Sequence, residues 1–452
     1  DHKNQDEFGR SDIHGSMLPR IRPRMIRARR NTQPSIVRIL SPLRDFLATE
    51  AFGAVLLGIA AVAALVWANS PAAGSYESLW NAHLSVTLAG HTLDLDLRHW
   101  VNDGLMTVFF LVVGLEIKRE LTDGHLSSRK ASLLPVTAAL GGMLVPALLY
   151  LAIAGSSAPR GWAIPIATDI ALAVGVVALA GPRIPGSARA FLLGLAIVDD
   201  IGAIVVIAFV YSTGVAVGWL AAGMAALVVV AVLKRFGVTW TWVYVVVGCV
   251  AWFGFYEGGV HPTIAGVAMG LLAPSTPRLS SEMIDVEALT DLSGVLAARE
   301  TSDLARGSVS VVEWLQHVLH PWTSYVIVPI FALANIGIEI SADGLRSAAK
   351  SAITWGVFVG LVIGKPLGVV VTGRATIRSG LGATPAGSTS RHLIGIGAAA
   401  GIGFTVAIFV TELAFTDPTS QNNAKLAILA ASVVAAAVAA IILMTGGRNV
   451  RA

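Results

Sequence analysis

The sequence predicts an all-α polytopic membrane protein of twelve transmembrane helices with a small external β-hairpin, and three observations carry that reading. The 452 residues are 55% hydrophobic and 13% charged, against about 25% charged in soluble proteins, and mean hydropathy is +0.72. Apolar runs near span length recur from end to end. Basic residues gather in alternate connections, which is how membrane orientation is encoded.

The runs fall at about 50–68, 101–117, 131–154, 163–180, 190–212, 217–233, 239–255, 260–273, 320–338, 352–373, 392–414 and 424–445. Several are shorter than the ~20 residues of a straight crossing. With both termini cytoplasmic, inner connections hold Lys118, Arg119, Arg129, Lys130, Arg183, Arg189, Lys234, Arg235, Arg374, Arg378 and Arg391. Outer ones hold only Arg98, Arg160, Arg346, Lys350 and Lys425. The chain then divides into an Arg-rich cytoplasmic tail (1–44), a twelve-helix membrane domain (45–446) and a short cytoplasmic C-terminal tail (447–452).

The net charge of +4 does not argue for a nucleic-acid partner, because the positive residues stand where membrane topology places them. Arg20, Arg22, Arg24, Arg27, Arg29 and Arg30 precede the first span and suit an anchoring segment that faces anionic lipid. A regulatory tail is the minor alternative. The opening residues are polar, so no cleaved secretory peptide is expected. Cys249 is the only cysteine, which excludes an intrachain disulfide.

Two connections are long. Residues 84–98 alternate apolar and polar around Ala89 and Gly90, the pattern of an external hairpin whose edge can pair with a second copy. Residues 274–318 carry Glu282, Asp285, Glu287, Asp291, Glu300, Asp303 and Glu313. They read as a solvated cytoplasmic linker, or as a regulatory segment.

The informative residues lie inside the spans. Asp199 and Asp200 sit side by side in the apolar run 191–209, where one charge costs roughly 2.5 to 3.5 kcal/mol even on a lenient insertion scale. A partner, a proton or a cation is needed to offset that cost. Pro165, Thr168 and Asp169 share a short span; proline removes a backbone donor, so the helix is expected to break beside Asp169. Gly395, Gly397, Gly401 and Gly403 make a second irregular span late in the chain. An interrupted helix between apolar neighbours in each half points to inverted repeats around a central site. Lys365 reads as the only strongly basic residue deep in a span, so it requires a partner.

Adjacent helical residues diverge by about 100°, so one aspartate can pair with Lys365 while the other faces Asp169 and an entering ion; spacing alone permits either assignment. Carboxylates, Thr168 and freed carbonyls suit a hard cation such as Na+ or Li+. Protons and cations would compete for such groups, and that competition is itself an exchange mechanism. Glu116 and Glu120 end the second span, where they either line a cation-gathering funnel or pair with neighbouring bases. His261 opens the eighth run and reads as an interfacial polar cap before it reads as a pH sensor. His317 and His320 have no acidic or cysteine companion in their motif, so no metal site is assigned there.

Five segments carry a resemblance to the bacterial sodium/proton antiporter A family (NhaA-type). They are residues 102–121, Gly161-Trp-Ala-Ile-Pro-Ile-Ala-Thr-Asp-Ile170, Leu195-Ala-Ile-Val-Asp-Asp-Ile-Gly-Ala203, Gly364-Lys-Pro-Leu-Gly368 and Gly401-Ile-Gly-Phe-Thr405. The likeness extends over roughly 45–445. It implies twelve spans with two crossed, interrupted helices near Thr168 to Asp169 and Gly401 to Thr405. It implies Asp200 as the chief ion-binding carboxylate, Asp199 paired with Lys365, and Asp169 as charge compensation at the crossing. By the same likeness Glu116 and Glu120 belong to a cytoplasmic funnel, His261 influences the pH response, and the hairpin is a homodimer contact. The 1–44 tail and the 274–312 stretch look longer than the family's usual ones, so regulation is the feature that transfers least.

The expected function is therefore electrogenic export of Na+ or Li+ in exchange for protons, pH-regulated, in the bacterial cytoplasmic membrane, with no covalent chemistry and no cofactor. A bile-acid-type symporter with crossed helices would need a polar substrate cavity that these Gly- and Ala-rich spans do not advertise. A non-transporting scaffold or sensor would place function in the tail and acidic loop instead.

Overall fold

In a computed structural model of the chain, residues 50–275 and 310–445 are described, apart from 89–90, 123, 125–128, 213 and 239. The Arg-rich tail, the hairpin's turn, the acidic residues from Glu282 to Asp303 and the C-terminal tail lie outside the described residues.

The first helix, α1 (Glu50–Ala68), is followed by the short α2 (Ala73–Trp80), which turns off its axis by 114°. Strands β1 (His83–Leu88) and β2 (His91–Asp96) pair antiparallel from His83 opposite Asp96 to Leu88 opposite His91, as the alternating pattern predicts. Next come α3 (Leu97–Thr122) and α4 (Arg129–Ala154), a 3-10 segment (Pro159–Ile166), α5 (Ile170–Leu179) and α6 (Gly186–Val210). A second group comprises α7 (Val217–Arg235), α8 (Thr241–Glu257) and α9 (Thr263–Leu272). The remainder is α10 (Val311–Asn335), α11 (Ala342–Lys350), α12 (Ala352–Arg378), α13 (Ser390–Ala400), α14 (Phe404–Ala414) and α15 (Pro418–Met444).

Among the described residues, 8 helices are long and apolar enough to cross a membrane, or up to 10 if each bent pair is one span; α8 and α9 are shorter apolar helices. Large apolar side chains such as Val62, Leu148, Phe209 and Val433 are exposed on them, a surface matched to lipid rather than water.

Two boundaries differ from expectation for a local reason. Helix α10 starts at Val311 because Ser310 and Glu313 form a reciprocal capping box, which satisfies two orphan backbone donors. The end of the expected acidic loop, from 311 to 318, is therefore helical. Helix α15 starts at Pro418, with the Asp417 carboxylate accepting from Ser420 N at 2.8 Å. Lys425 is consequently a buried helix residue rather than an outer-loop one, and Lys365 is not the only lysine buried in the bundle. Helices α2 and α11 are additions to the sequence reading.

Small residues set the helix contacts. A Cβ on Gly368 would lie 2.1 Å from the Gly141 carbonyl oxygen, so α12 and α4 meet backbone to backbone. A Cβ on Gly266 would lie 2.2 Å from Thr107 O, which brings α9 equally close to α3. In lipid, packing of this kind rather than hydrophobic drive holds helices together. Leu134, Val177, Leu195, Val369, Ile396 and Leu443 share one buried cluster from α4, α5, α6, α12, α13 and α15. Val113 and Ile117 of α3 pack on Ile197 of α6, just before the paired aspartates.

Candidate functional site

Both expected interruptions are present, and they touch. Pro165 lies in the 3-10 segment, after which Ala167 and Asp169 have extended backbones and helix resumes at Ile170. The second interruption separates α13 from α14, whose axes differ by 42°. Gly401 and Gly403 are needed there for closeness: a Cβ on Gly401 would stand 2.5 Å from Leu361 O, and one on Gly403 3.0 Å from Ala167 O. Asp169 N donates to Ile402 O at 2.7 Å, and Thr168 Oγ1 lies 3.0 Å from Ala400 O. Backbone groups freed by one break are thus satisfied by the other, the condition for irregular backbone in a membrane bundle.

Asp169 serves two helices at once. Its Oδ1 accepts from Leu172 N at 3.0 Å, capping α5, while Oδ2 accepts from Thr405 N at 3.0 Å and Thr405 Oγ1 at 2.8 Å, capping α14. Two positive helix ends converge on one carboxylate, which neutralises both partial charges.

The opposite polarity is met by Lys365. Its Nζ donates to Ile166 O, at the carboxyl end of the 3-10 segment, and lies 2.9 Å from Asp199 Oδ2, with both side chains 0% exposed. The lysine directly follows a π-helical stretch, Gly360–Gly364; such inserted turns recur at functional positions because they re-aim the next residues. Asp199 Oδ2 also accepts from Thr168 Oγ1 at 2.7 Å. Thr168 has one hydroxyl proton for two acceptors, Asp199 and Ala400 O, and serves one at a time.

Asp200 is treated differently. It is buried and makes no hydrogen bond or ion pair among the described residues, whereas Asp199 leaves only its Oδ1 unpartnered. Asp199, Glu116 and Asp169 all lie within electrostatic range of it. Among the described residues no three acidic, imidazole or thiol groups converge at metal-ligating spacing.

Of the remaining candidates, Glu116 accepts from Gln316 Nε2 of α10 at 3.3 Å, and Glu120 is buried. His261 is mostly buried. Its Nε2 lies 3.4 Å from Asp103 Oδ1, its Nδ1 2.8 Å from Thr263 Oγ1, and its ring meets Phe409 of α14 edge-on with centroids 5.0 Å apart. The sequence reading passed over Asp103 as this partner, and also the amide pair Asn102 and Asn335, which exchange hydrogen bonds between α3 and α10. It passed over Glu412, whose carboxylate lies 2.5 Å from Lys425 Nζ. An acid inside the apolar run 404–415 and an Asp-Pro helix start at 417 were the available signals for that pair.

A buried carboxylate without a partner, next to one held by an exchangeable lysine and threonine, can take a proton or a hard cation, and its all-oxygen donor set does not suit a softer metal. The family description Na+/H+ antiporter 1 matches residues 44–443. The chain is 44% identical over 416 residues to the Na+/H+ antiporter NhaA 2 of Pseudomonas putida, covering 88% of this chain and 92% of that protein. It is 45% identical over 421 residues to the Na+/H+ antiporter NhaA 2 of Sorangium cellulosum, covering 89% of each. It is 43% identical over 424 residues to the Na+/H+ antiporter NhaA 3 of Frankia alni, covering 91% of this chain and 90% of that protein.

Proposed function

The chain belongs to the Na+/H+ antiporter 1 family, and from that premise we propose that it exports Na+ or Li+ in electrogenic exchange for protons across a bacterial cytoplasmic membrane, by alternating access and under pH control. The observation that carries the site assignment is the unequal standing of two adjacent aspartates: both keep an unpartnered Oδ1, but Asp199 is engaged through Oδ2 by Lys365 and Thr168, while Asp200 makes no hydrogen bond or ion pair among the described residues.

Asp200 is the seat of competition between H+ and Na+. Asp199 is the switchable carboxylate, freed for the ion together with Thr168 when Lys365 moves to Ile166 O alone. Asp169 holds the crossing rigid by compensating both helix ends. If two protons exchange for one Na+, each cycle moves one net charge, worth roughly 2.3 kcal/mol per 100 mV.

Twelve spans in two inverted repeats fit the matched positions of α4 before the Asp169 break and α12 before the Gly401 break, an arrangement for which antiporters of this family are themselves a reference case. The distribution of basic residues favours two cytoplasmic termini. Glu116 and Glu120 are assigned to the cytoplasmic approach, and His261 with Asp103 to the pH response. The hairpin is assigned to a homodimer contact and the Arg-rich tail to anionic lipid.

The test is ²²Na+ uptake driven by a pH gradient in proteoliposomes. Asp200→Asn is expected to abolish exchange; flux equal to wild type in that variant sinks the assignment.

A further inference from the structure

A cavity of about 170 Å³ opens where α6, α12 and α13 meet, away from the crossing. Its polar lining includes Arg374, Arg378, Ser388 and His392, with the hydroxyl residues Thr384, Thr389 and Ser390. Phe191, Ile377, Leu393 and Ile396 supply an apolar one. Among the described residues no aspartate or glutamate lines it.

The two arginines stand one helical turn apart on α12, so their guanidinium groups can act on one ligand. Neither has a hydrogen-bond or ion-pair partner among the described residues. Other arginines at this end of the bundle are engaged: Arg391 donates to Ile442 O and Thr445 Oγ1, and Arg189 donates to Gly181 O. Ser388 Oγ is buried and equally without a partner. A cavity that combines unpaired guanidinium forks with an orphaned hydroxyl calls for an anion with several acceptor oxygens, and phosphate geometry matches the fork. The apolar lining adds that the anion is part of an amphiphile.

We infer that this cavity binds the phosphate of an anionic phospholipid headgroup and that its occupant regulates exchange. Basic pockets between spans on the cytoplasmic side are where such headgroups are held. The regulatory half rests on the proposed exchange function; the binding half does not. Its physical basis is that the three elements around the cavity each lead to the crossing. Helix α6 carries Asp199 and Asp200, α12 begins its straight part at Lys365, and α13 runs into the break before Gly403. A headgroup bridging them restrains their relative motion, so its binding free energy is felt at the site.

The test uses the full chain in detergent, with phosphatidylglycerol or phosphatidylcholine titrated and retained lipid counted by native mass spectrometry. Wild type is expected to retain phosphatidylglycerol selectively, and R374Q/R378Q to bind it about thirtyfold more weakly. R374K/R378K, which keeps the charge, is expected to recover part of the loss, and equal Tm in phosphatidylcholine guards against misfolding. Wild-type-like retention by R374Q/R378Q overturns the site, as does an equal loss in R346Q/K350Q. A Tm rise with inorganic phosphate as large as that with phosphatidylglycerol overturns the lipid in favour of a free anion. In phosphatidylcholine proteoliposomes, added phosphatidylglycerol is expected to change ²²Na+ flux of wild type and not of R374Q/R378Q. Intact lipid binding with unchanged wild-type flux overturns the regulatory half alone.

Discussion

Lys365 and Lys425 each stand against a carboxylate inside the bundle, yet their surroundings differ. Lys365 and Asp199 are both 0% exposed, and each has a second, neutral partner: Ile166 O for the lysine and Thr168 for the aspartate. Lys425 and Glu412 keep 9% and 17% exposure, join two regular helices, and have no such alternatives among the described residues. An ion pair whose members each keep a neutral hydrogen bond opens at a lower cost than one whose members keep none, and a proton or cation arriving at the carboxylate can offset the remainder. One without that provision is a fastener. The broken helices supply the difference, because only an interruption frees carbonyls and a hydroxyl at that depth.

The sharpest way to break this comparison is to remove one lysine at a time. Lys365→Met leaves Asp199 buried without its cation, a loss of about 3 to 5 kcal/mol, and is expected to lower Tm steeply and stop exchange. Lys425→Met, with a partly exposed partner, is expected to lower Tm by less than half as much and to leave most of the flux. Equal effects on both readouts would end the distinction.

Replacing both members of each pair sharpens it. D199L/K365M is expected to regain much of the lost stability, since apolar groups often replace a buried pair at little cost, while exchange stays absent. E412L/K425M is expected to regain stability with flux retained. Calorimetry and ²²Na+ uptake on the same preparations check both.

Asp169→Asn keeps the size of the side chain at the crossing but puts a donor where one carboxylate oxygen accepts, so it loses one of the two caps together with the charge that two helix ends share. About 1 to 2 kcal/mol of stability is expected to go, read as a Tm drop smaller than that of Lys365→Met. The smallest effect belongs to Thr168→Val, which removes the alternative partner of Asp199. Loss of one hydrogen bond of about 1 kcal/mol is expected to raise the Na+ concentration for half-maximal exchange roughly fivefold with Tm little changed.

Much of the fold was legible because its signals are local. Apolar runs, Pro165, the glycines before Thr405 and the alternating hairpin strands each state a backbone preference that the neighbours support. The misplaced starts of α10 and α15 were legible too, in Ser310 with Glu313 and in Asp417 with Pro418, but hydropathy outweighed the caps. Placing Lys425 in a loop then hid its pairing with Glu412. The partners of His261 were not legible for another reason: nothing near it in sequence says that Asp103 and Phe409 arrive from distant helices.

By itself the sequence determined which charges enter apolar spans and where helices break, because side-chain chemistry and the backbone limits of proline and glycine act within a few residues. Only the tertiary structure decided that Asp199 rather than Asp200 takes Lys365, and that Asp169 caps two helices. Those choices depend on the angle at which α6, α12 and the two breaks meet, and that angle is set by contacts such as Gly368 on Gly141, between residues far apart in the chain.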